Sequence, residues 1–282
     1  MIALYLIAII IGIAAQNVVR KEFNRKSGGR GVYLFPTICS TAALLFFLVT
    51  SSELKFSWAV VPYALAFAAS YAVATVSTVI AISCGPLSLT ALFVSYWLIV
   101  PILYGLIFLH EPVSLPFVAG LALLLLSLLL ANKKTAHVPI TPKWIVSVVL
   151  AFLGNGLCSI FQQMQQRAHN WQYKNEFMIV ALAVVVVSLA IMSLIKERHE
   201  MGALFKRGWW LGAIGGALNG MFNLFVMVLG ALMPVSIMFS IASGGALMVT
   251  FLLSLIAYKE TLTPRQYVGF ALGVVSVILL NL

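Results

Sequence analysis

Long stretches without a single charged residue recur from one end of this chain to the other, and they limit its fold more tightly than any other feature. Leu121 to Ala131 holds only leucine, alanine and one serine, and Val180 to Ala190 is of the same kind. A helix needs roughly 20 mainly apolar residues to span hydrocarbon. Within lipid only helices and closed barrels satisfy their own backbone groups, and a barrel strand alternates in polarity at every second residue. These runs do not alternate. Charged residues make up 9% of the chain and hydrophobic ones 62%, with mean hydropathy +1.08. Average soluble domains carry about a quarter charged residues. The expected class is an all-α integral membrane protein.

Ten apolar segments emerge, at 2–20, 31–51, 57–83, 86–109, 113–131, 143–167, 175–195, 208–231, 234–258 and 265–281. The first begins directly after Met1, and Arg20, Lys21, Arg25, Lys26 and Arg30 follow it. A cleaved signal carries its positive charge ahead of the apolar stretch, so this segment is expected to be a retained helix. Lysines and arginines then fall on two sides. The connections after segments one, five, seven and nine hold fourteen of the 17, and the opposite side holds only Lys55, Arg167 and Lys174. The basic side is expected to be cytoplasmic, which places both termini outside the cytoplasm of a multi-pass cell-membrane protein. The formal charge of +10 is thereby assigned to loops between spans, and nucleic acid is not an expected partner. Cys39, Cys84 and Cys158 lie in or at the ends of apolar segments, in neither a metal spacing nor a disulfide framework.

The two halves overlay on one another. Pro86 and Pro234 differ by 148, and the same offset maps Ala64, Ala68 and Ala72 onto Gly212, Gly216 and Gly220, Ser88 onto Ser236 and Ser95 onto Ser243. At offset 149, Glu111 maps to Glu260, Gly120 to Gly269, Ser127 to Ser276 and Asn132 to Asn281. Residues 1–135 and 136–282 are therefore read as two five-helix repeats, and an odd helix count turns the second upside down relative to the first. Inverted repeats of this kind can rock about a site at mid-membrane.

Candidate binding residues are polar groups stranded in apolar segments. Tyr71 and Thr75 map at offset 148 onto Asn219 and Asn223, each pair four residues apart and so on one helix face. Segment six carries Asn155, Ser159, Gln162 and Gln166 as one polar stripe, and segment one carries Gln16 and Asn17 near its inner end. Such groups are disfavoured against lipid and should point into the bundle, either to line a wet cavity or to bond between helices. Tyr96 and Trp97 sit centrally in segment four, and their counterparts Gly244 and Gly245 suggest an aromatic-walled space next to Ser243. The small-residue ladder at Gly208, Gly212, Gly216 and Gly220 suits close helix packing, and a surface that slides. Glu111 and Glu260, at segment ends, are expected to cap helices or pair with cations. The seven acids are all glutamates and none lies centrally in a segment, which argues against a carrier built on an intramembrane carboxylate.

The ten-segment, five-plus-five plan resembles the drug/metabolite transporter superfamily in its EamA-type branch. The likeness is carried by Gly85-Pro86-Leu87-Ser88 through Glu111-Pro112-Val113-Ser114 to Gly120, and by Met233-Pro234-Val235-Ser236 through Lys259-Glu260-Thr261-Leu262-Thr263 to Gly269. It covers essentially the whole chain, and its motifs do not specify a substrate. It implies a central cavity lined by helices one, three, four, six, eight and nine. The chain departs from the superfamily's small multidrug pumps, whose first helix carries a glutamate where this one offers Gln16 and Asn17.

The function expected is secondary transport of a neutral or zwitterionic metabolite, such as an amino acid, or of a hydrophobic drug, by alternating access. The alternative is a lipid-linked-sugar flippase or a non-transporting accessory subunit. No His/Asp pairing or metalloprotease-like His-Glu spacing suggests an enzyme, no catalytic or metal site is expected, and no cofactor is called for. The expected partners are a small-molecule solute and the lipid bilayer, with the chain a monomer or a dimer.

Overall fold

The computed structural model describes residues 1–51, 55–84, 90, 93–94, 96–131, 141–256 and 263–280. Glu53, the Gly85 to Ser88 motif, Ser95, Asn132, Lys133, Lys134, Lys259, Glu260, Thr261, Leu262 and Asn281 lie outside the described residues. Ten α-helices and no strand occur among the described residues: α1 (Ile2–Ser27), α2 (Leu34–Thr50), α3 (Val61–Cys84), α4 (Ile99–Phe108), α5 (Leu115–Ala131), α6 (Pro142–Ala168), α7 (Lys174–Lys196), α8 (Met201–Leu229), α9 (Val235–Ile256) and α10 (Pro264–Leu279). Five of them, α1, α3, α6, α7 and α8, are long and apolar enough to cross a membrane, and the other five are shorter apolar helices. Each apolar segment carries one of these ten described helices, and in segment four Thr90, Phe93 and Val94 are also helical.

Two helices outrun their segments. α1 continues to Ser27 where hydropathy stops at 20, and α8 starts at Met201 where hydropathy starts at 208. Hydropathy marks where apolar character ends, whereas arginine, lysine and glutamate are good helix formers and carry the helix onward. In α1 the extension is braced internally, with Glu22 accepting from Arg25 at 2.7 Å and lying 3.8 Å from Lys26.

The chain divides into two compact units, and each draws on both sequence halves. One comprises residues 1–10, 73–160 and 232–282, the other 11–72 and 161–231. In the first unit α5 lies along α10, and α9 packs on α10 and α4. Small residues allow the α5–α10 approach. Ser127 donates to the Gly269 carbonyl at 2.6 Å, and a Cβ on Gly120 would stand 3.1 Å from the Ser276 carbonyl oxygen. Both helices begin on a hydroxyl cap. Ser114 accepts from the Phe117 N–H, and Thr263 forms a reciprocal capping box with Gln266.

In the second unit α2 lies along α8 and against α7. The glycine ladder of α8 makes this possible. Gly208 receives Phe23, Gly212 receives Ile38, Gly216 receives the Cys39 backbone with Ala42, and Gly220 receives Phe46. Phe23 and Phe35 stack at 4.3 Å beside Val19 and Leu211, with Cys39 packed against this buried cluster. Ala68, the repeat counterpart of Gly216, packs against Val185 and Leu189 of α7.

Two glutamates serve as helix caps delivered from far along the chain. The first backbone N–H groups of a helix lack partners and present partial positive charge, so a carboxylate suits them. Glu111 accepts from the Val235 and Ser236 N–H groups at 2.7 and 2.9 Å, and from the Ser236 hydroxyl at 2.5 Å. The expected capping role of Glu111 is thus realised on α9. Glu197 accepts from the Tyr33 and Leu34 N–H groups at 3.0 and 2.8 Å at the start of α2.

Candidate functional site

Amide side chains gather where α1, α6 and α8 meet within the second unit. Asn223 donates through Nδ2 to the Asn219 carbonyl oxygen at 2.9 Å and to Asn219 Oδ1 at 3.1 Å, as the four-residue spacing on α8 allows. Asn219 donates to Gln16 Oε1 on α1 at 3.4 Å. Gln162 on α6 donates to the Asn223 backbone carbonyl at 3.3 Å and to Asn223 Oδ1 at 3.4 Å. Four neutral amides from three helices thus form one ladder. Gln16 and Asn219 are half-buried, while Asn223 and Gln162 are 7% and 2% exposed, so the ladder runs inward from an accessible end.

The lengths of these bonds fall into two groups. Those within α8 are of ordinary length, and those linking different helices are at the long limit for N–H···O. A long amide–amide bond gives little and yields readily to a better-placed partner. The ladder therefore presents donors and acceptors that can be exchanged without leaving a charge unpaired, because none of its members carries one.

Other amides lie on the same part of α6. Gln163, Gln165 and Gln166 are fully buried. Gln166 donates to Gln165, and Gln165 donates to the Gln172 carbonyl oxygen at 3.3 Å. Both amide atoms of Gln163 and the Oε1 of Gln166 have no hydrogen-bond partner among the described residues. Gly230 stands against Gln163, where a Cβ would approach Oε1 to 2.6 Å.

The ten residues singled out from sequence divide between places. Gln162, Asn219 and Asn223 come together in the ladder. Tyr71 is in the same unit but in a different cluster, with Ala68, Val184, Val185 and Leu189, and its ring stacks near Phe67 at 6.4 Å. Thr75, Tyr96, Trp97, Asn155, Ser159 and Ser243 belong to the other unit. There Asn155 donates to the Ala151 carbonyl in its own helix at 2.8 Å, and Ser159 is buried. The Tyr96 hydroxyl donates to the Leu125 carbonyl of α5 at 3.0 Å, and Trp97 meets Phe239 edge-on at 5.6 Å. Thr75 and Ser243 are half-buried.

The aromatic-walled space expected between Tyr96/Trp97 and Gly244/Gly245 is not what the two glycines face. Gly244 closes on Val277 and Leu124, and Gly245 on Ile10. Residues equivalent in the two repeats need not oppose one another, and here aliphatic side chains occupy the glycine faces. Pattern reading also left Gln163 and Gln165 outside the stripe, since they fall off its three-and-four spacing. Gln16 was noticed for its polarity, yet nothing in the sequence joins it to Asn219.

No family model matches the chain, and no curated protein matches it. Among solved structures 28 chains match. One, described only as a crystal structure of a protein, is similar over 99% of this chain and 95% of its own, with a TM-score of 0.77 at 13% identity. At that identity the likeness shows a shared fold and nothing of function.

Proposed function

We propose that the chain is a secondary transporter for a neutral or zwitterionic small solute in the cell membrane, with all ten helices crossing the bilayer as two inverted five-helix repeats. The observation that carries this reading is the ladder of Gln16, Asn219, Asn223 and Gln162, a run of uncharged hydrogen-bonding groups inside helices otherwise built for lipid. Polar side chains are costly against lipid, so within membrane helices they line solute paths or bond between helices. Both amide atoms of Gln163 and the Oε1 of Gln166 add capacity that the described protein groups do not use.

The repeat reading draws support from reciprocity. Ser127 meets Gly269, and Gly120 meets Ser276, and these are the same two positions exchanged between halves at offset 149. A two-fold relation between paired helices demands such exchange. The N-cap pair Ser114 and Thr263 obeys the same offset. Two halves related in this way can present one site to either side of the membrane in turn. The earlier resemblance to EamA-type drug/metabolite transporters points in the same direction.

The test begins without a known substrate. Metabolite pools are compared inside and outside cells that lack the chain and cells that overproduce it. A compound whose distribution moves in opposite directions in the two strains is then followed in counterflow with the purified protein in vesicles. Saturable counterflow of an uncharged or zwitterionic compound is expected. If no pool moves, or if the purified protein scrambles a lipid-linked head group while no soluble compound exchanges, the carrier reading fails.

A further inference from the structure

The charge of the chain has a use that solute transport does not absorb. The extended ends of α1 and α8 lie in the same compact unit and are locked together. Phe23 fills the notch at Gly208, where a Cβ would stand 2.5 Å from its ring, and the Lys26 ammonium sits 4.7 Å above the ring of Trp210. Lys206, Arg207, Trp210 and Ile214 fall three and four residues apart on α8 and so share one face. All four are exposed, Trp210 by 40% and Ile214 by 46%. That face thus passes from two cations through an indole to an aliphatic side chain, in the order of a phospholipid's phosphate, glycerol region and acyl chain. Indoles favour the level of the head groups.

Of the carboxylates nearby, only Glu22 reaches a cation of this group, Lys26, and at 3.8 Å. Glu22 pairs with Arg25 and Lys26, Glu200 pairs with Arg30 at 2.8 Å, and Glu197 caps α2. No carboxylate among the described residues pairs with Lys206 or Arg207. A loop whose only task is to set topology needs cations in number, but it does not need them placed at the head of an aromatic and aliphatic stripe. We infer that the joined ends of α1 and α8 form a binding ledge for anionic phospholipid, with the phosphate held by Lys26, Lys206 and Arg207 and an acyl chain lying over Trp210 and Ile214.

This inference does not depend on the transport reading. It is tested on the purified full-length protein washed with detergent and then offered phosphatidylglycerol or phosphatidylcholine, with bound lipids counted by native mass spectrometry. Each cation near a membrane surface contributes roughly fivefold in affinity for anionic lipid. The triple variant Lys26→Gln, Lys206→Gln, Arg207→Gln should bind phosphatidylglycerol about a hundredfold more weakly, with phosphatidylcholine binding and the melting temperature in phosphatidylcholine unchanged. Lys143→Gln, an exposed lysine of the other unit, should change nothing. Raising the salt concentration should strip phosphatidylglycerol from the unmodified protein, a measurement that holds even if the triple variant does not fold. The ledge is overturned if the unmodified protein binds both lipids equally or holds phosphatidylglycerol regardless of salt. It is also overturned if the triple variant binds phosphatidylglycerol as the parent does, or if Lys143→Gln causes the same loss.

Discussion

Gly216→Leu is expected to abolish recovery of folded, monodisperse protein from the membrane. A Cβ at that position overlaps the Cys39 backbone carbonyl and stands 2.6 Å from the Ala42 Cβ. A backbone carbonyl within a helix cannot turn aside as a flexible side-chain tip can, so α2 and α8 must separate along their contact. Overpacking a well-fitted core typically costs about 1–3 kcal/mol, and forcing apart two whole helices stands at or beyond the upper end. In hydrocarbon close packing is a main source of helix association, which leaves little else to compensate. Gly202→Ala is the control, on the same helix. A Cβ there meets nothing within 4 Å, and exchanging glycine for alanine in a helix should raise stability by up to about 1 kcal/mol. Thermal melting in detergent, followed by loss of the monodisperse chromatographic peak, reads both. A Gly216→Leu variant as stable as the parent would mean that the α2–α8 approach is not as described.

Asn223→Leu is expected to lower transport of the solute by at least tenfold while barely changing stability. The substitution keeps roughly the same side-chain size and removes the ladder's central amide, which both accepts from Gln162 and donates to Asn219. Hydrogen bonds between membrane helices contribute only about 0.6 kcal/mol on average, so a packing role predicts a small effect on melting. A site that hydrogen-bonds its solute loses about 1–3 kcal/mol for each partner left unmet, or about one to two orders of magnitude in rate. The two roles therefore separate by readout. Counterflow rates in vesicles, normalised to protein folded by the melting assay, decide between them. Equal rates for parent and variant would reduce the ladder to helix packing.

The helices were legible in the sequence because continuous apolar runs admit one structure in lipid. The caps Ser114 and Thr263 went unread, although each stands three residues before the N–H it accepts from. Among the described residues, helices run furthest past their segments where helix and hydropathy part company, at Arg20 to Ser27 and Met201 to Arg207. Of the candidate site, Asn219, Asn223 and Gln162 could be found because an amide in an apolar helix has few places to go. Their partners could not. Gln16 lies 203 residues from Asn219, and Glu197 lies 163 from Leu34, and no local pattern encodes either pairing. Trp97 was read against Gly244 and Gly245 by repeat equivalence, whereas those glycines have Val277, Leu124 and Ile10 as near neighbours and Trp97 meets Phe239. Depth along a helix follows from sequence, but rotation about its axis does not when every face is apolar.

The central claim is that the ladder is wet and reaches both sides of the membrane in turn. It is tested most directly by water-borne labelling of Asn219→Cys in a chain whose three native cysteines are replaced. Val187→Cys, on an exposed apolar position of α7, supplies the lipid-facing reference. A membrane-impermeant thiol reagent should modify the 219 position when added from either side, and the transported compound should slow that reaction. Modification of the 219 position by lipid-soluble reagent alone, matching the 187 position, would contradict the account.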